Sequence, residues 1–333
     1  MAIKPIYKLL ADNENITKVI YNRLLDITIT DNAGWESDSL EVTLDDTGHA
    51  IALPDTGAKL EIYLGYKETE LELMGAYTVD EIELASPPNT LKITGKAANM
   101  GSSLKSPKTI TWSEKGGAQS KANQVNLETI FSKIAKDNGL KIKIDKKYKN
   151  KKFTILNQRN ESDINFLTRL ATSVGGVLKI TDDTLSLKPR IPETGVIELI
   201  PQDVTQWRVN ITKRTSYNSV TANYYDKKRG KKFKVTVDKE KKGKQSKPAR
   251  QIRTDAISEV AATALATAEL ENAALGEKQL TITLPGNTAI KAERQLKLIG
   301  FRAGANGLWV IDTVKHQLNN SGYITEITAS SAN

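Results

Sequence analysis

Apolar and polar residues alternate with a period of two through most of residues 23–96, which limits this stretch to strands. Leu25, Ile27 and Ile29 alternate, then Leu40, Val42 and Leu44, then Leu60, Ile62 and Leu64. Only a pleated strand turns every second side chain to the same face. Tyr77, Val79, Ile82 and Leu84 continue the pattern with one step out of phase, which predicts a β-bulge. Asp31-Asn32-Ala33-Gly34 and Pro87-Pro88-Asn89 supply turns, the second leading into a strand over Thr90–Gly95. Short strands in this number, with no long helix, predict an antiparallel barrel or sandwich.

The pattern changes after residue 105. Val125, Leu127, Ile130, Phe131, Ile134 and Ala135 recur at helical spacing up to Gly139. Lys141–Ile144 and Lys152–Leu156 read as strands. Ser162 can cap a second helix, with Asp163 facing the positive end of its dipole. Ile164, Leu167, Leu170, Ala171 and Val174 make its apolar stripe, Phe166 sits beside that stripe, and Gly175 is a left-handed stop. Val177–Ile180 and Leu185–Leu187 pair as a hairpin across Asp182-Asp183. Pro189, Pro192 and Pro201 punctuate the exit.

Strand patterns return at Trp207–Ile211, Ser219–Tyr225, Phe233–Val237, Leu280–Leu284, Gln295–Ile299, Leu308–Val314 and Gly322–Thr328. One helix interrupts them, capped by Thr254 and stopped by Gly276. Its predicted inner face is Ile257, Val260, Ala261, Ala264, Leu265 and Ala268. The expected architecture is mainly β: a first β-barrel domain over residues 1–105, an α+β insert over 106–201, and a second β-barrel over 202–333 with one flanking helix. The two β parts are expected to be versions of one barrel, although no direct repeat is visible in the residues.

The net charge of +9 is one segment. Residues 226–250 hold twelve Lys or Arg and three Asp or Glu, leaving 36 of the 48 basic and 36 of the 39 acidic residues elsewhere. A nucleic-acid domain spreads basic charge over a face with interleaved aromatics. Here Phe233 is the segment's only aromatic. A solvated loop flanking a hairpin is expected, or a contact with a partner made by charge through Lys227, Lys228, Arg229, Lys231 and Lys232. Sequence-specific nucleic-acid reading is not expected.

Chemistry is sparse. There is no Cys, so no disulfide framework and no thiolate metal site. His49 lies in a loop beside Asp45 and Asp46 without a second His for a zinc set. His316 is expected at a surface or interface. Ser102 and Lys105 match S-x-x-K, but its companion motifs are missing. No G-x-S-x-G, Walker loop or dinucleotide fingerprint occurs. No cofactor and no catalytic centre are expected. The first ten residues are too charged for a secretory signal, and no apolar run approaches the ~18 residues of a membrane span.

Gln158, Glu161, Ser162, Asp163, Phe166, Leu167 and Arg169 spell Q-x-x-E-S-D-x-x-F-L-x-R-L-A together with Leu170 and Ala171. This wording resembles the signature of baseplate hub proteins of the phage late control D family, which are related to the N-terminal hub part of type VI secretion spikes. Tyr77-Thr78-Val79-Asp80, Leu91 to Ala98, Trp207-Arg208-Val209, Leu284-Pro285-Gly286, Gly300-Phe301-Arg302 and Trp309-x-Ile311 follow in the family's order. The Lys-rich segment is longer and more basic than the family pattern. The resemblance implies two tube-like barrels per subunit in a homotrimer forming a pseudo-hexameric ring, with the hexameric tail tube on one face and the trimeric spike on the other. It also implies other baseplate proteins as partners and a place in the tail baseplate after assembly in the bacterial cytoplasm. A cell-wall hydrolase at the tail tip and a basic nucleic-acid-binding protein are the alternatives.

Overall fold

A computed structural model describes residues 3–97, 102–112, 125–153, 156–181, 183–191, 195–212, 219–226, 229–238, 250–252 and 278–331, with helical residues between 259 and 270. Six strands build a first unit: β1 (Pro5–Ala11), β2 (Leu24–Asn32), β3 (Ser39–Asp45), β4 (Lys59–Tyr66), β5 (Glu72–Ala85) and β6 (Thr90–Lys96). They lie side by side as β2-β3-β6-β5-β4-β1, every pair antiparallel. Leu40, Val42 and Leu44 pack with Leu60, Ile62 and Leu64 in one buried core. The predicted bulge is a register shift between Val79 and Glu81. Asp31 and Asn32, expected in a turn, extend β2 instead.

The insert contains β7 (Pro107–Trp112), α1 (Leu127–Asp137), β8 (Lys141–Ile144), β9 (Leu156–Ser162), α2 (Asp163–Ser173), β10 (Gly176–Thr181) and β11 (Thr184–Pro189). Asn126 caps α1 through Glu128 N and Ser162 caps α2 through Asn165 N. Ile130, Phe131 and Ile134 of α1 share a core with Ile164, Leu167 and Leu170 of α2 and with Leu178, Ile180, Leu185 and Leu187 of the hairpin. β8 adds to β11 in parallel, a pairing that local pattern does not reveal.

The remaining strands are β12 (Val196–Leu199), β13 (Gln206–Ile211), β14 (Ser219–Asp226), β15 (Lys231–Asp238), β16 (Lys278–Pro285), β17 (Gln295–Leu298), β18 (Gly307–Asn319) and β19 (Gly322–Ser331). Six of them make a second unit, ordered β13-β16-β19-β18-β17-β12. Ranked by position in the chain, both units run second, third, sixth, fifth, fourth, first. One pairing differs: β12 and β17 are parallel, whereas β1 and β4 are antiparallel. β12, which no sequence pattern announced, lies within residues 106–201 and pairs with a strand of the second β unit.

The two units are not separate sheets. β18 is long enough to serve both: Gly307–Val310 pairs with β17, and Thr313–Asn319 pairs with β2. The result, with the two-residue strand Glu14–Asn15 paired on β1, is one thirteen-stranded sheet over two cores. Among the described strands no ladder closes either unit on itself; β18 passes the sheet on to the next unit.

β14 and β15 form a smaller sheet with Arg250–Gln251. Val220 and Ala222 pack there on Ala262, Ala266 and Leu270 of the helix, with Leu265 alongside. Leu265 of the predicted stripe packs against this core. Of the predicted residues only Leu265 has a described side chain; Ile257, Val260, Ala261, Ala264, Ala268 and the caps at Thr254 and Gly276 lie outside the described residues.

His316 is a second correction. It lies within β18, 1% exposed, because its position faces the core once β2 covers the strand. Its Nε2 meets Ile290 O at 3.2 Å, and its Nδ1 meets the Tyr323 hydroxyl at 2.9 Å. Burial pushes the imidazole down to about 4. The unfolded chain therefore takes up this proton before the folded one does, and the stability that the neutral ring contributes above pH 6.5 is lost as pH falls toward 4. The advantage of the wild type over His316→Gln is expected to shrink by about 1.4 kcal/mol per pH unit within that window. A gap that stays constant from pH 7 to pH 4 would contradict this.

Candidate functional site

The motif residues meet at the seam between β7 and β9. These strands pair antiparallel with a register shift between Gln158 and Glu161, where Asn160 takes a φ of 46°. The shift turns Gln158 fully inward. Its amide donates to Glu161 O at 2.9 Å and Asp163 Oδ1 at 2.8 Å, and its carbonyl accepts from Trp112 Nε1 at 3.1 Å. Asp163, 1% exposed, also accepts from Lys108 Nζ. Its carboxylate lies in the first turn of α2, where free backbone N–H groups favour negative charge.

One helical turn further, Phe166 stacks on Trp112 with centroids 5.8 Å apart and planes 12° apart. Arg169 lies over the outer face of Phe166 at 5.3 Å. Its guanidinium grips Glu161 with two bonds, of 3.0 and 2.7 Å, and donates to Asn157 O. Gln158, Glu161, Ser162, Asp163, Phe166, Leu167 and Arg169 thus form one lock that fixes β9, its bulge and the start of α2. Both ends of the Gln158 amide are satisfied within the lock, and a satisfied buried network specifies geometry. Lys108 and Trp112 belong to the lock but escaped the sequence reading; the alternation of Lys108, Ile110 and Trp112 was the available signal.

Trp207 and Trp309 occupy opposite environments. Trp309 is buried in β18 and donates to Ala305 O at 2.8 Å. Trp207 lies on the edge strand β13, 37% exposed, edge-on to Phe301 at 5.6 Å.

A third cluster joins the insert to both β units. Lys179 of β10 reaches Asp31 Oδ1 at 3.0 Å, Asn32 O at 2.7 Å and Asp38 Oδ1 at 3.3 Å. Asp31 Oδ2 accepts from Ala292 N of the second unit at 2.9 Å. Glu293 accepts from Gly34 N at 3.2 Å and pairs with Lys188 at 3.5 Å. Burial, helped by the Asp31 charge, pushes the Asp38 carboxyl up to about 6, against the pull of Lys179. A cavity of about 310 Å³ opens beside the joint, lined by Trp35, Thr168, Thr172, Arg190, Glu293 and Asp312 among others. Burial also raises the Asp312 carboxyl.

His49 is exposed in a turn, 3.6 Å from Asp46. Among the described residues no cluster of three or more His, Cys, Asp or Glu could hold a metal ion. Ser102 and Lys105 belong to a single helical turn. Arg229 packs over Phe233 at 5.6 Å, and Lys231 and Lys232 are exposed at the start of β15. Lys227 and Lys228 lie outside the described residues, as do residues 239–249. No described helix is long and apolar enough to cross a membrane.

A continuous sheet of two like units, with an insert locked on by buried polar contacts, is the architecture of a structural scaffold. Residues 123–322 match the model of the phage tail baseplate hub (GPD) family. The chain belongs to this family and is a structural hub component of a phage tail baseplate. It is 29% identical over 368 residues to a probable baseplate hub protein of Escherichia phage 186, covering 97% of this chain and 92% of that one. The fold is similar to that of a 43 kDa prophage tail protein from Shewanella oneidensis, with a TM-score of 0.71 at 15% identity over 97% of both chains. It is also similar to an E. coli protein described as a type VI secretion component resembling phage T4 tail proteins, with a TM-score of 0.54 at 12% identity over 92% of this chain and 73% of that one.

Proposed function

We propose that this hub adapts a hexameric tail tube to a trimeric spike. Three copies form a ring, each supplying two tube-like units, so that six units meet the tube and three subunits meet the spike. The observation that supports this reading is the strand order shared by the two units. A chain carrying one architecture twice can present near-sixfold symmetry from a threefold assembly. The role is one of shape and edge complementarity, and the insert is held at a set position by the Lys179 joint. The particle assembles in the bacterial cytoplasm, and the hub ends in the virion. Native mass measurement is expected to give three chains. Monomer at every concentration, with and without the spike partner, would overturn the reading.

The basic segment contacts an acidic surface of another baseplate protein by charge, and that contact weakens as salt rises. Exchanging Lys239–Lys247 for a short Gly/Ser linker is expected to leave trimer mass and melting temperature unchanged while slowing particle assembly. Loss of soluble trimer would show instead that the segment is part of the fold.

A further inference from the structure

Within one chain, β18 links the units by pairing twice. Its first part completes its own unit on β17, and Thr313–Asn319 then holds β2 of the other unit. β5 is the matching strand of the first unit, fifth in rank and also long. Its first part, Glu72–Thr78, pairs with β4. Its second part pairs with β6 on one side, and among the described strands its other side carries no partner. β13 is the counterpart of β2, second in rank. It pairs with β16 and, among the described strands, has no neighbour on its other side. The molecule thus has one vacant edge of the type that β18 fills and one of the type that β2 fills.

We propose that residues 82–85 of β5 in one copy pair antiparallel with residues 208–211 of β13 in the next copy, repeating between subunits the β18–β2 ladder within each subunit. The proposal rests on the homotrimer reading and gives its contact. The internal ladder places His316 opposite Ile29 and Leu318 opposite Ile27, all on the core side. Carried to the vacant edges through the matching bulges, at Val79/Glu81 in β5 and Ile311/Thr313 in β18, it sets Ile82 opposite Ile211 and Leu84 opposite Val209.

Exposure agrees with this register. His316, covered by β2, is 1% exposed, whereas its counterpart Leu84 is 58% exposed although it lies cross-strand from the buried Leu91. Ile211 is 61% exposed although it shares a strand face with Val209, which packs against the second core. Each is a core-side residue left open at a sheet edge, and the ladder covers both. Open edges with apolar flanks are a liability that proteins cover by pairing. On the opposite face the same register sets Glu83 against Asn210 and diagonal to Arg208, within reach of its opposite charge. Because donor edge and acceptor edge differ, the contact is head-to-tail, and three such contacts close a ring.

The chain has no cysteine, so a designed pair reports the register directly. In Glu83→Cys/Asn210→Cys, residues facing across neighbouring strands lie within disulfide reach. Mild oxidation is expected to give covalent dimers and trimers on denaturing gels, with either single substitution giving none. Glu83→Cys/Arg208→Cys, two positions out of register on the same face, is expected to cross-link at least about tenfold less. Leu84→Asp is expected to dissociate the wild-type trimer while leaving the monomer's circular dichroism unchanged. A trimeric wild type whose designed pair does not cross-link, or cross-links no better than the out-of-register pair, would overturn this contact alone. A trimer indifferent to Leu84→Asp would do the same. A monomeric wild type would overturn the homotrimer reading itself.

Discussion

Replacing Phe166 by alanine is expected to destabilise the insert by about 3–5 kcal/mol. The side chain is fully buried, stacked on Trp112 on one face and covered by Arg169 on the other. Truncation removes the ring and leaves a cavity that the lock of Gln158, Asp163 and Glu161 cannot collapse to fill. Leu167→Ala, at an equally buried position, is expected to cost about 2–5 kcal/mol. Phe166→Leu keeps most of the volume and is expected to cost far less. The chain holds several cores, so global melting blurs the effect. Hydrogen exchange of the α2 and β10 amides isolates it. Unchanged protection in Phe166→Ala would mean that this helix does not hold the insert together.

Lys179→Met is expected to cost about 3 kcal/mol at pH 8, because it leaves two largely buried carboxylates without their cation. Asn32 O loses its donor as well. The deficit should shrink on acidification. Asp38 already titrates near 6 in the folded protein, above its ordinary value. Without the lysine charge its carboxyl rises further, so the variant takes up the proton at a higher pH than the wild type does. Folded protein then binds more protons than unfolded chain, and stability is regained as pH falls through that range. Asp38→Asn in the Lys179→Met background should recover part of the loss at pH 8, and the double-mutant cycle measures the coupling. A deficit independent of pH would rule out the carboxylates as its source.

These two sites differ in how far residue order reveals them. The part of the lock on β9 and α2 was legible because those members are neighbours in the chain: Ser162 caps the helix that Ile164, Leu167 and Leu170 bury, and Gln158 and Glu161 precede it closely, whereas Lys108 and Trp112 come from the distant β7. Phe166 was read as lying beside the stripe because a helical wheel counts one contact face. The structure buries it because β7 brings Trp112 against the helix flank. The Lys179 joint was not legible. Its partners are Asp31 and Asp38, brought near by packing between the insert and the first unit, and a lone lysine in an alternating strand reads as a solvent-facing residue.

His316 shows the same limit inside a recognised strand. Period-two alternation tells which residues share a face, but not whether another strand covers that face, and β2 arrives from nearly three hundred residues away in sequence. Alternation, caps and turn residues are local properties of the chain, so residue order alone determined that this protein is strand-rich, that an α+β insert interrupts it, where the second insert helix begins, and that its net positive charge is confined to one segment. Pairing between distant strands depends on which edges meet once apolar faces are buried. Only the tertiary structure therefore decided that the two β parts share one strand order, that β18 joins them into a single sheet, and that β5 and β13 are left with open edges.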